Sequence, residues 1–220
     1  MYDYFIGVDP SISNTGIAVL NAHGVLLGYC NTSSRSKTKY TDNANIRRLG
    51  DLADYAVNMI FYYLTQSEPT TSREDLTRRC LIGYEDYSYG SINKSFTIGE
   101  LGGVLKLELL KAGMGLEMLA PTQLKQFATG TGSASKEAVA ATAFSEEKTL
   151  AVLGQDIATD DLTDAYFLAK WIWYYAAPDL AVKYETSRDH LRRRLELCQT
   201  IRKKAKRKHQ SKETRKRMRR

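Results

Sequence analysis

At 220 residues with 43% hydrophobic side chains, the chain is long enough for one sizeable core, and it contains no apolar run near the ~20 residues of a membrane span, which predicts a soluble protein. The start, MYDYFIG, lacks the pattern of a secretory signal, so a cytoplasmic protein is expected, and Cys30, Cys80 and Cys198 show no CxxC or Cys/His ligand spacing, which argues for reduced thiols rather than a disulfide framework or a zinc site. The net charge of +7 is segregated: residues 201–220 hold twelve Lys/Arg against one Glu, +11, leaving −4 for the remainder.

The predicted elements alternate. Residues 4–8, 15–20 and 25–29 read as three short strands with NAHG as a turn, an antiparallel meander. Between 43 and 64 the apolar residues Ile46, Leu49, Leu52, Ala53, Ala56, Met59, Ile60 and Tyr63 recur at helical spacing. CLIGYED, 80–86, is a buried-type strand ending in acids. Residues 95–113 form a helix with Ile98, Leu101, Leu105 and Leu109 on one stripe and Gly113 closing it. LEMLAP is a fifth strand, PTQLKQFA a short helix opened by Pro121, and residues 136–144 a helix capped by Ser133 or Ser135. Residues 160–176 are a strongly apolar helix with acids in its first turn. The order predicts an α/β fold, a mixed five-stranded sheet covered by helices, over residues 1–180. Residues 181–220 follow as a basic helical or flexible extension, in which Leu191, Leu195, Leu197 and Ile201 stand at loosely helical spacing.

Four carboxylates stand out. Asp9 and Glu85 each lie at the C-terminal end of a predicted strand, where ligands collect in α/β sheets. Asp161 and Asp164 lie three apart on one helix and so can project from the same face. Crowded carboxylates repel one another unless they are protonated or share a cation. Hard oxygen ligands favour Mg²⁺ or Mn²⁺, and a pair of such ions about 4 Å apart grips the attacking and leaving oxygens of a phosphodiester. Each acid also has a plainer reading, as a strand-end Asp or as a complement to a helix dipole.

The order of IGVDPSISNTGIAV, LIGYEDYSYGSINKS, LAPTQLKQFATGTGSASKEAV and DDLTDAYFLA resembles the RuvC family of Holliday junction resolvases, in particular those carried by some bacteriophages, over residues 4–170. The resemblance implies a ribonuclease H-like fold, a homodimer acting on branched DNA, and a cytoplasmic setting, that of the host cell for a phage-encoded chain. It implies that Asp9, Glu85, Asp161 and Asp164 hold two Mg²⁺ ions per site, with Mn²⁺ as a substitute, and that products carry 5′-phosphate and 3′-hydroxyl ends. Lys136 and Lys125 fall on basic residues used near the scissile phosphate and the DNA backbone. Tyr87 and Tyr89 are the candidates for the strand-separating aromatic, and the residue three after Glu85 is Ser88. Where the family shows Pro-Gly after its first acid, Pro10-Ser11 stands here, which asks Ser11 for a less forgiving backbone.

The basic tail lies outside the resemblance. Lys203, Lys204, Lys206, Arg207 and Lys208 are its first candidates for phosphate contact, with solubility or a protein partner as the alternatives. Helix 95–110, with glycines at 99, 102 and 103, is the candidate dimer interface. Two other classes stay open: a non-catalytic nucleic-acid binder acting through the tail, and a kinase or chaperone-like protein of the same superfold. The second is disfavoured because neither a second phosphate-binding hairpin nor a second domain is visible.

Overall fold

The computed structural model of the chain describes residues 2–11, 14–32, 42–86, 95–150, 160–186 and 188–217. Its centre is a five-stranded sheet in the order β3-β2-β1-β4-β5. Strands β1 (Tyr4–Asp9), β2 (Thr15–Asn21) and β3 (Leu26–Thr32) form the expected antiparallel meander. Strand β4 (Cys80–Glu85) pairs parallel to the other side of β1, and β5 (Gly115–Leu119) parallel to β4. The helices are α1 (Asp42–Ser67), α2 (Arg73–Arg78), α3 (Ser95–Lys111), α4 (Pro121–Thr129), α5 (Lys136–Glu146), α6 (Asp160–Ala176), α7 (Pro178–Tyr184) and α8 (Arg188–Arg217).

Because side chains alternate across a strand, β1 and its neighbours feed two cores. Tyr4, Ile6, Val8, Ile17, Val19, Ile82 and Tyr84 pack beneath α1, α2 and α3. Phe5, Ala18, Leu20 and Leu81 pack on the opposite face with α4, α5, α6 and the first half of α8. Helix α6 is buried continuously from Ala165 to Tyr174, which explains why its sequence is apolar all round. It lies against the sheet through three glycines: a Cβ on Gly7, Gly16 or Gly83 would stand 1.8, 2.1 or 2.6 Å from the carbonyl oxygens of Ala165, Asp161 and Leu168. At the other end of α6 the Trp173 indole donates to the carbonyl of Ala22, 3.1 Å away, in the β2–β3 turn.

Several details depart from the sequence reading. The third strand starts at Leu26 and runs to Thr32, with Val25 exposed and a register irregularity at Val19/Leu20. Helices α2 and α7 were not expected; each is short, and α2 buries only Leu76 and Thr77. Ser11 does not take a positive φ, since among the described residues only glycines do. The Thr15 hydroxyl holds it instead, accepting from the Ser11 amide at 3.2 Å and donating to its carbonyl at 2.8 Å. Ser135 rather than Ser133 caps α5, its oxygen accepting from the Ala138 amide. Beyond residue 188 the chain is one thirty-residue helix, about 45 Å long at 1.5 Å per residue, and Leu191, Leu195, Leu197 and Ile201 pack against the core.

The three cysteines are free, and burial pushes their thiols up, Cys30 to about 11 and Cys80 and Cys198 to about 12. Among the described residues no helix is long and apolar enough to cross a membrane.

Candidate active site

Strands β1 and β4 run side by side in the same direction with Val8 level with Tyr84, so their last residues, Asp9 and Glu85, emerge together at the C-terminal edge of the sheet. Asp9 is 5% exposed. Burial raises its carboxyl well above the usual range, and the charges of Glu85, Asp164 and Asp161 add to the effect. Glu85, at the rim, is raised as well, chiefly by burial and also by Asp161, while a hydrogen bond from Asp9 and the charges of Lys136 and Lys125 pull the other way. A side-chain hydrogen bond between the two carboxyl groups works in opposite directions, raising Asp9 and lowering Glu85.

Asp161 and Asp164 reach the same region from the first turns of α6, both half-buried. Lys136 is the first residue of α5 and exposed, and Lys125 lies half-buried on α4. A lysine at a helix N-terminus opposes the dipole, and here its compensation is the acid at Glu85. Four acids and two lysines from five elements thus act on one another at one end of the sheet. Among the described residues, no three His, Cys, Asp or Glu side chains converge tightly enough to hold an ion as they stand. The donor set nonetheless suits a hard divalent cation. It is all oxygen, one member is buried, and the acids outnumber the lysines, so that a cation would offset the repulsion among them.

The remaining candidates lie apart or beyond view. Tyr87 and Tyr89 fall outside the described residues. Lys203, Lys204, Lys206 and Arg207 are exposed on α8 past its packed half, and Lys208 follows them in the same helix.

A second cluster was not anticipated, because it hides in the run RRR at 192–194. Arg194 is fully buried and grips Glu146 with two hydrogen bonds, Nη2 to Oε1 at 2.7 Å and Nη1 to Oε2 at 2.9 Å. Lys170 bridges Glu146 and Glu185, each at 2.8 Å, and the Tyr174 hydroxyl donates to Glu185 at 2.7 Å. Burial alone would raise the Glu146 carboxyl, yet Arg194 and Lys170 outweigh it and hold it below the usual range. Arg194 also donates to the carbonyls of Phe127 and Ala128, and Arg193 to that of Thr129, so α8 caps the C-terminus of α4 with positive charge. Gly130 ends α4 at φ 99°, and a Cβ there would meet Arg193 at 2.6 Å. The signal was available in sequence: Leu191, Arg194, Leu195 and Cys198 share one helical face.

Residues 85–170 match the family of crossover junction endodeoxyribonuclease RuvC. In fold, the chain is similar to the RuvC structure of Thermus thermophilus, with a TM-score of 0.56 at 20% identity over 80% of this chain and 96% of that one. It is similar to T. thermophilus RuvC in complex with Holliday junction substrate with a TM-score of 0.53 at 18% identity, over the same shares. No curated protein is similar enough to the chain to match it.

Proposed function

We propose that the chain, whose residues 85–170 match the RuvC family and whose fold is similar to that of Thermus thermophilus RuvC, is a metal-dependent endodeoxyribonuclease of that family that cuts Holliday junctions or related branched DNA. The observation that carries this reading is the buried Asp9 beside Glu85 at the sheet edge, with Asp161 and Asp164 acting on it from α6. Asp9, Glu85, Asp161 and Asp164 would hold Mg²⁺, two ions per site with Mn²⁺ as a substitute. Bound there, the metal would supply a nucleophilic water and charge stabilisation for in-line hydrolysis that leaves 5′-phosphate and 3′-hydroxyl ends. Asp9, set at a strand end in a packed core, fixes the direction of its carboxylate. Lys136, held on a capped helix start, answers the charge that develops on the phosphate, and Lys125 holds the backbone beside it. Tyr87 and Tyr89 stack on bases unpaired at the branch point. Lys203, Lys204, Lys206, Arg207 and Lys208 contact phosphates of a DNA arm without reading sequence.

Two nicks related by two-fold symmetry need two sites, hence a homodimer. Helix α3 supports this arrangement: a Cβ on Gly99 or Gly103 meets nothing within 4 Å, and Leu107 and Leu110 are more than half exposed. The setting is the cytoplasm, the host's for a phage-encoded chain. The test is cleavage of a synthetic four-way junction beside linear, flap and fork DNA, with Mg²⁺ or EDTA, together with sedimentation. Mg²⁺-dependent paired nicks on the junction are expected. Binding without any cutting makes the chain a nucleic-acid binder acting through its tail, and full activity from a monomer removes the dimer.

A further inference from the structure

Gly16 stands where the two halves of the acid cluster meet. In the β1–β2 ladder it is the register partner of Asp9. On the α6 side, a Cβ built on it would lie 2.1 Å from the carbonyl oxygen of Asp161, 2.6 Å from the carbonyl carbon, and 3.2 Å from the Cβ of Ala165. One acid is thus its neighbour across the ladder, and the backbone of another rests directly on its α-carbon.

We infer that Gly16 is a positioning residue for the metal site: its missing side chain seats the first turn of α6 on β2, and that seat sets the distance between Asp9 and Glu85 on the sheet and Asp161 and Asp164 on the helix. The inference rests on the metal-site reading above and adds what fixes the spacing of the ligands. Gly7 and Gly83 continue the seat, but they meet α6 at Ala165 and Leu168, one and two turns beyond Asp161. Of these three glycines, Gly16 is the one whose Cβ would meet the backbone of an acid itself, Asp161. Both atoms in the Gly16–Asp161 approach belong to backbone, so no rotamer change relieves an added methyl group. An alanine requires the 2.1 Å gap to open to an ordinary contact of at least 3.4 Å, which moves the start of α6 outward by more than 1 Å. A displacement of about 1 Å costs roughly 100-fold in a positioned reaction, and a lost orienting contact costs about 10- to 100-fold in metal affinity.

The experiment is Gly16→Ala in the full chain, read by Mn²⁺ titration calorimetry without DNA, by junction binding in EDTA and by cleavage. We expect Mn²⁺ affinity to fall by about tenfold or more and cleavage by roughly 100-fold, with metal-free junction binding within about twofold of wild type. The control is Gly28→Ala, whose Cβ would meet the Tyr63 ring at 2.1 Å on the opposite face of the sheet. It costs thermal stability but leaves Mn²⁺ affinity within about twofold, since it does not touch α6. Adding Asp161→Glu to Gly16→Ala extends the acid back toward the sheet and restores part of the Mn²⁺ affinity.

Wild-type Mn²⁺ affinity in Gly16→Ala, or an equal loss in Gly28→Ala, overturns the positioning role. Should Gly16→Ala not fold, Asp161→Glu alone decides the question. With the helix still seated it overshoots and weakens Mn²⁺ about tenfold, whereas unchanged affinity overturns the inference. A wild-type chain that neither takes up Mn²⁺ nor cuts is a different result, because it removes the metal site itself and the positioning role with it.

Discussion

Replacing Arg194 by Met removes one cation from a buried group in which Arg194 and Lys170 balance Glu146 and Glu185. All four side chains are 5% exposed or less. The methionine fills much of the volume but leaves a net negative charge facing Phe127, Phe167 and Tyr174, the three rings beneath the guanidinium. It also strips the carbonyls of Phe127 and Ala128 of their donor. Breaking a buried pair from one side costs about 3–5 kcal/mol, and for a domain of this size each kcal/mol moves Tm by about 2–4 °C, so a loss of roughly 6–20 °C is expected. Scanning calorimetry at pH 7 measures it. Adding Glu146→Gln restores the charge balance, leaving Lys170 against Glu185, and should recover part of the loss as a coupling of about 0.5–3 kcal/mol in a double-mutant cycle. A single-variant loss under about 1 kcal/mol, or a double variant as unstable as the sum of the singles, refutes the claim that α8 is locked by charge rather than by its leucines.

Asp9→Asn should abolish cleavage while raising the Tm of the metal-free protein at pH 8. The folded-state carboxyl titrates above its unfolded value of 3.8, so its contribution is complete below that value and lost as pH rises through the folded one. Differential scanning fluorimetry in EDTA from pH 4 to 8 checks this, and a variant that is less stable than wild type at pH 8 contradicts it. Glu68 behaves oppositely: hydrogen bonds from Arg79 first, then Tyr4, hold it at about 2 against an unperturbed 4.5. Its contribution is present above 4.5 and lost as pH falls toward 2, so Glu68→Gln should lower the urea midpoint more at pH 7 than at pH 3, and equal losses at both count against the pairing. Changing Lys203, Lys204, Lys206 and Arg207 to Gln should weaken junction and linear DNA alike. The salt slope of log K should drop by about three to four, and cutting should persist at saturating enzyme and low salt; an unchanged slope removes the tail from DNA.

The strands were legible because β1, β2 and β4 are unbroken apolar runs that end at Asp9, Asn21 and Glu85, but the placing of β4 beside β1, after the crossover from β3, was not. Asp9 and Glu85 were legible as strand-end acids, and their meeting follows only once β1 and β4 are seen to be parallel neighbours that end together. Helix α2 escaped notice because six residues with one buried leucine carry no periodicity, and α7 because Pro178 reads as the end of α6 rather than the start of another helix. Arg194 escaped because a run of three arginines reads as solvated charge, and only its place among Leu191, Leu195 and Cys198 marks the buried member. The seat at Gly16 is invisible in sequence: a glycine within the predicted strand 15–20 says nothing of what rests on it until α6 is laid on the sheet.

The chemistry of the three cysteines opens a practical route. With Cys80 and Cys198 inside the two cores and all three thiols titrating far above neutral pH, maleimides find little native thiolate to attack. A single cysteine introduced at an exposed position of α8, such as Gln210, would therefore take a fluorophore almost alone. Energy transfer from that dye to one placed on each arm of a four-way junction would report which arm the basic helix follows, in the unaltered background of the native thiols.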